Sequence, residues 1–372
     1  MTDHYQINHE WERVARHVVQ PKQIALVIGA IDVGKSTFCR LLVERGFDRG
    51  MKVGYVDADV GQSQIGPPTT IGLKFFSPNI PTQMLASRAI GGAEGGHSHA
   101  ARGNEAILDG EPDALYFVGW TSPEHHLLQC VTGTRLMVDA AQEAGADFIV
   151  IDTTGHVEGP TAVVLKQHKI ELVKPNHLIC IRRSRELDPI VAGLEGFIGV
   201  QIHHLSPHKS VTSKSSEFRR KYRQSCFDRY FSGNPQETLP FHQIRGQRTP
   251  FFIGRGANAK EVEILSDLAD DHVLYAEWGH RALAIVTTDA TSTLVQARLK
   301  AHFSLNHLVA ETPEYFERRL IGLLNASGKT LSIGIIEAVN FAASQLKIRC
   351  KAGAASETKV IQFGRYKKDD TV

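Results

Sequence analysis

The apolar run QIALVIGA, residues 23–30, flows directly into GAIDVGKST, residues 29–37, and this junction constrains the chain more than any other stretch. Gly29 to Ser36 fits G-x-x-x-x-G-K-[ST] and sits between a strand pattern and a helix pattern, the context in which such a loop grips phosphate. Glycines let the backbone curl so that successive N–H groups point at phosphate oxygens, and the helix that follows adds the positive end of its dipole. Lys35 is expected to hold the β and γ phosphates of a nucleoside triphosphate, Ser36 to bind Mg²⁺ and Thr37 to assist nearby. The loop alone does not say where the terminal phosphate goes.

The pattern around the loop sets the fold class. WERVARHVV at 11–19 has helical apolar spacing and ends before Pro21. After the loop, residues 37–46 read as helix and MKVGYVDADVGQ as a second apolar strand. Further strands are expected at ALYFVGW (114–120), DFIVIDTTG (147–155) and HLICI (177–181), with helices at 127–144 and TAVVLKQHKIELV. Strands alternating with helices make a parallel sheet flanked by helices, a doubly wound α/β domain of the P-loop type. After FSGNPQETLP the runs RTPFFIGRG, HVLYAEW, ALAIVTT, RLIGLLN, TLSIGII, QLKIRC and KVIQFGRY are short and turn-separated. The expected organisation is an N-terminal helical segment (1–23), a P-loop domain (24–232) and a smaller, mainly β C-terminal domain (245–372).

Two acid-bearing strand ends accompany the loop: Asp57 and Asp59 in YVDADVGQ, and Asp152 in FIVIDTTG. In open α/β sheets ligands bind at this C-terminal strand edge, so all three are expected to line one site. Asp59, with a second acid and Gln62 close by, is the expected general base, and Asp57 the metal partner, directly or through water. Farther on, residues 209–223 carry Lys209, Lys214, Arg219, Arg220, Lys221 and Arg223 against the single acid Glu217, a local basic patch that the formal net charge of +2 conceals. Arg219 and Arg223 are four apart and share a helix face, where two guanidiniums can clamp a moving phosphoryl group.

GAIDVGKST, DADVGQ, YFVGWTSP, IDTTGHVEG and FRRKYR...RYF, in this order, resemble the polynucleotide 5′-hydroxyl kinases, the family of the eukaryotic pre-mRNA cleavage-factor RNA kinase and the ribosomal RNA-processing kinases. The resemblance implies a Walker A loop including Gly29, Asp32, Val33, Gly34, Lys35, Ser36 and Thr37, and a Walker B element with Asp59 and Gln62. It implies further a clasp with Thr153 and Gly155 and an arginine lid with Arg219 and Arg223. It implies ATP and Mg²⁺ as cofactors, and RNA or DNA with a 5′-hydroxyl end as acceptor. His156 stands where the better-known eukaryotic members carry Trp, and DTTG replaces their N-T-x-G, so no aromatic stacking surface carries over to that position; this resembles the archaeal-type branch.

Other classes are set against this reading. With 42% apolar and 22% charged residues the chain is ordinarily globular, and no window approaches the ~20 apolar residues of a membrane span. MTDHYQINHEWERVARHVVQPK lacks the apolar core of a secretory signal, so a soluble cytoplasmic protein is expected. The scattered cysteines imply neither a zinc cluster nor a disulfide framework and are expected to be reduced thiols. IGGAEGGHSHAARGNE, within 81–113, is expected to be a mobile loop whose His97 and His99 are solvated. The alternatives are a P-loop ATPase or GTPase with IDTTG as its switch, and an ATP-binding scaffold of an RNA-processing complex.

Overall fold

The computed structural model describes residues 8–78, 111–194, 199–208 and 211–368. The glycine-rich stretch with His97 and His99, and also Lys209, lie outside the described residues. The chain divides into two compact units, residues 1–228 and 229–372.

The first unit is built on a seven-stranded sheet in the order β4-β3-β2-β5-β1-β6-β7. Its strands are β1 (Gln23–Gly29), β2 (Val53–Ala58), β3 (Thr70–Phe76), β4 (Ala114–Phe117), β5 (Phe148–Thr153), β6 (His177–Ile181) and β7 (Gln201–Leu205). The five strands β2, β5, β1, β6 and β7 run parallel, and β3 and β4 extend the sheet antiparallel to their neighbours. Burial on both faces explains why β1, β2, β5 and β6 read as continuous apolar runs. Two apolar layers result: one holds Leu26, Ile28 and Val56 under the helices Leu127–Glu143 and Pro160–Val173, the other holds Ala25, Val27 and Phe148 under the helices His9–Val18 and Lys35–Asp48.

The N-terminal helix His9–Val18 is integral to this unit. Asn8 caps it, accepting from the Glu10 N–H, and its face of Trp11, Val14, Ala15 and Val18 is buried. Trp11 packs edge-on against Phe38 of the phosphate-loop helix with centroids 5.3 Å apart, and its indole N–H donates to Ser206 O at 2.9 Å. Burying a side chain of this size contributes a few kcal/mol, roughly 2–3, to fastening the helix.

The second unit is less purely β than its short strand runs suggest. One six-stranded sheet sets the strands Gln236–Pro240, Gln345–Arg349, Thr330–Asn340, Arg319–Leu324, Val360–Lys367 and Arg245–Gln247 side by side in that order, and the first of them brings its start ahead of residue 245. A second, four-stranded sheet, made of the strands Arg255–Gly256, Val273–Gly279, Ala282–Thr287 and His307–Glu311 in that order, carries the helices Ala259–Ala269 and Thr293–His302. The latter connects the third of these strands to the fourth, which run parallel. The core of the larger sheet is aromatic, with Phe316 packed against Phe251, Phe252 and Phe363.

Candidate active site

Gly29 closes β1, and the loop that follows turns into the helix Lys35–Asp48 through Gly34, whose φ of +93° is costly for any residue with a Cβ. A Cβ there would also meet the Trp11 ring at 2.9 Å, so the N-terminal helix forms the floor of the loop. Val33 is buried in the core and Thr37 is exposed on the first helical turn. Lys35 is 6% exposed and its ammonium donates to the loop carbonyl of Ala30 at 2.8 Å.

Ser36 and the three strand-end acids come together. The Ser36 hydroxyl donates to Asp152 Oδ2 at 2.5 Å. Asp57 instead ties down its own loop: Oδ1 accepts from the Asp59 N–H at 3.0 Å, and Oδ2 accepts from the Ser63 hydroxyl at 3.1 Å and the Ile65 N–H at 3.0 Å, with Gln64 N–H as a further donor. Burial, then the charges of Asp152 and Asp59, push Asp57 up to about 7; burial likewise raises Asp152. Asp59 is partly open, its Oδ1 accepting from the N–H groups of Gly61 at 3.0 Å and Gln62 at 3.1 Å, and its Oδ2 takes no bond from the described residues.

The lid helix Ser216–Phe231 meets this cluster at two points. Arg219 pairs with Asp32 Oδ2 at 2.5 Å, and the Lys214 N–H donates to the same oxygen at 2.9 Å. Tyr222 donates to Ser63 O at 3.1 Å, fixing the helix to the loop after Asp59. Arg223, half-buried one turn on, makes no ion pair among the described residues. Lys214 and Lys221 are exposed, and Lys221 pairs with Glu217 at 2.7 Å.

The clasp lies against the same loop. Thr153 donates from Oγ1 to Val27 O at 2.8 Å, and a Cβ on Gly155 would come within 2.9 Å of the Ile31 Cα, so only glycine lets the two backbones touch. Beneath the clasp, the fully buried Lys166 donates to Thr153 Oγ1 at 2.9 Å and Thr154 O at 2.6 Å. His156 lies 3.1 Å from the Thr161 hydroxyl.

Two supporting groups escaped the reading of the sequence. Lys166 sits inside a helix pattern, where a lysine reads as solvent-facing. Arg183 donates to Ile31 O at 3.2 Å and to Asp32 O, bracing the loop from the next strand. Its position just past β6, at the strand edge where ligands bind, was the available signal.

These residues fit a magnesium-bound triphosphate. Among the described residues, the first turn of the helix Lys35–Asp48 has no side-chain cap, leaving N–H donors for phosphate, and the Nε of Arg219 and the Nε2 of Gln62 are buried without a partner. A hydroxyl beside a buried carboxylate, Ser36 with Asp152, is a hard oxygen donor set of the kind Mg²⁺ takes.

Comparison with known proteins fixes the family. A family model described as the mRNA cleavage and polyadenylation factor CLP1 P-loop matches residues 29–233. The chain belongs to the CLP1 P-loop family. This CLP1-family chain is 30% identical over 342 residues to the polyribonucleotide 5′-hydroxyl-kinase of Thermococcus kodakarensis, covering 92% of this chain and 87% of that protein. It is 27% identical to the polyribonucleotide 5′-hydroxyl-kinase of Methanocaldococcus jannaschii, covering 93% and 87%. Among solved structures, Clp1p in its complex with Pcf11p aligns with a TM-score of 0.57 over 95% of this chain and 76% of that one; at 12% identity the likeness is one of fold.

Proposed function

We propose that this protein is an ATP-dependent polynucleotide 5′-hydroxyl kinase that moves the γ-phosphoryl group of ATP to the 5′-hydroxyl of an RNA or DNA end. Its archaeal relatives bear the name of that activity over nearly their whole length. The observation that carries the reading is the meeting of three parts: a phosphate loop, an acid with one unengaged oxygen, and a lid arginine lying on the loop's own Asp32.

Asp59 Oδ2 takes the proton of the acceptor hydroxyl as its oxygen forms the new bond to phosphorus, while ADP leaves with the bond it formerly shared with that phosphorus. Lys35, Arg219 and Arg223 supply fixed positive charge to the moving group, and Thr153 and Gly155 hold the phosphate loop from the side. Ser36 and Asp152 would hold Mg²⁺, which when bound with ATP neutralises phosphate charge. Asp57 serves the site by shaping the loop that carries Asp59 and Gln62. RNA is the favoured acceptor, since the relatives are named polyribonucleotide kinases. The exposed Lys214, with Lys221 and Lys209, would hold acceptor phosphates downstream of the end. A cytoplasmic location is part of the proposal, in keeping with five cysteines that form no disulfide and, among the described residues, no helix long and apolar enough to cross a membrane.

Purified protein incubated with γ-labelled ATP, Mg²⁺ and matched 5′-hydroxyl RNA and DNA oligomers tests this. Label on the oligomer is the expected result, with RNA labelled faster. Label released as free phosphate whether or not an oligomer is present would overturn the kinase reading in favour of an NTPase.

A further inference from the structure

At the strand edge opposite the phosphate loop, three imidazoles converge from three elements. His17 lies in the last turn of the helix His9–Val18, His177 opens β6 and His203 lies within β7. The parallel register pairs His177 with Gln201 and Ile179 with His203, so His177 and His203 are diagonal neighbours on one face of the sheet. It is the face on which the N-terminal helix packs, since Ile179 shares its apolar layer with Val14 and Val18. The three ring centroids form a near-regular triangle of 5.3, 5.8 and 5.8 Å. One ring nitrogen from each residue lies within 4.8 Å of the others, and His177 Nδ1 is 3.1 Å from His203 Nε2.

We propose that His17, His177 and His203 form a binding site for a late first-row divalent metal of the Zn²⁺ class, fastening the N-terminal helix to the sheet. Two imidazole nitrogens about 2.0–2.1 Å from a tetrahedral ion stand about 3.3 Å apart, close to the His177–His203 separation. His177 is buried and His203 half-buried, so two ligands are held by the strands. His17 is exposed and needs only a side-chain rotation to close on the pair. Gln201 Oε1, 3.1 Å from His17 Nε2, holds that ring over the strand edge, as outer partners do around metal-bound histidines. A cavity of about 300 Å³ lined by Gln23, Asn176 and His177 gives an ion a route in and room for a water as fourth ligand. Three imidazoles with no carboxylate among them suit Zn²⁺, Co²⁺ or Ni²⁺ and not Mg²⁺, so this site and the phosphate site select different ions.

The test uses the full chain, freed of metal and titrated with Co²⁺ in excess Mg²⁺. Tetrahedral Co²⁺ on nitrogen gives an intense visible absorption that octahedral Co²⁺ on oxygen lacks, so metal at the phosphate site does not mimic the signal. One Co²⁺ per chain with the intense band is expected, displaced by Zn²⁺. His17→Gln, an exposed change that leaves the core intact, and His203→Gln should each weaken binding at least roughly tenfold. Zn²⁺ should raise the melting temperature of the wild type and of neither variant. Absence of the band, or equal titrations in the wild type and both variants, would overturn the site.

Discussion

Arg219, from the lid helix, and Asp32, from the phosphate loop, form an ion pair of 2.5 Å in which the carboxylate side chain is 11% exposed. The same carboxylate takes the Lys214 N–H, so one acid holds both the start of the lid and its arginine. The guanidinium Nε is left buried and, among the described residues, unpartnered. The lid is therefore held on the loop while a donor is kept for something else.

From this it is predicted that Arg219→Ala lowers kcat by roughly 10²-fold or more while ATP affinity falls less, because a charge placed for the moving phosphoryl group counts most in the transition state. Asp32→Asn should lower kcat more mildly, about tenfold, since Arg219 stays but loses its guide. Steady-state labelling kinetics check both. A larger loss from Asp32→Asn than from Arg219→Ala would make the aspartate the acting group.

Lys35→Ala should abolish productive ATP binding, measured by calorimetry with Mg²⁺·ATP, since the Lys35 ammonium stands at the mouth of the loop. Unchanged affinity would remove the loop from the nucleotide site.

Asp59 and Asp57 should separate cleanly. Asp59→Asn leaves folding intact and lowers transfer roughly 10²-fold or more by removing the proton acceptor. Asp57→Asn presents an amide to N–H donors that now find a carboxylate, and should cost about 1–3 kcal/mol of stability. Thermal unfolding and single-turnover labelling distinguish the two effects. A stable but inactive Asp57→Asn would return the chemistry to Asp57.

Lys169, on the helix behind the clasp, is fully buried and its ammonium has no partner among the described residues. Burial drives it below its ordinary value of 10.5. Lys169→Met should therefore stabilise the protein at pH 7, by about 1–4 kcal/mol. The folded chain gives up this proton at lower pH than the unfolded chain, so native stability from this group grows as pH rises toward 10.5. The advantage of the Met variant must shrink over that same interval. Melting curves at pH 7 and pH 10 check the sign.

The parts of the fold that were legible are those where both faces of a strand are buried. Runs such as IALVIG and FIVID have no other reading, and the loop motif fixed their order around the site. Strand β3 was not anticipated, because TIGLKFF follows a proline turn and lies toward the sheet's edge, where burial is incomplete and no single apolar run forms. The helix Ala259–Ala269 announced itself through Asn258 and Glu261, a capping box that is present in the structure, yet the surrounding β-rich runs outweighed it. The acids and arginines stood out in the sequence because each ends an element or shares a helix face. The pairing of Ser36 with Asp152 did not, since it depends on β1 lying directly beside β5. The imidazole cluster was invisible for the same reason: residues 17, 177 and 203 meet only once the sheet order is known.

Trp11 gives the molecule a built-in optical reporter. Its ring is 2% exposed, edge-on to Phe38, and touches the position where Gly34 turns the phosphate loop into its helix. Emission from a dry indole shifts when its surroundings are displaced or wetted, and this one lies against the turn of the phosphate loop. The remaining tryptophans, Trp120 and Trp278, can be replaced by Phe to isolate it. His17 lies six residues farther along the same helix, about 9 Å down its axis, so a tilt at the histidine end would also register as a change in colour at the loop.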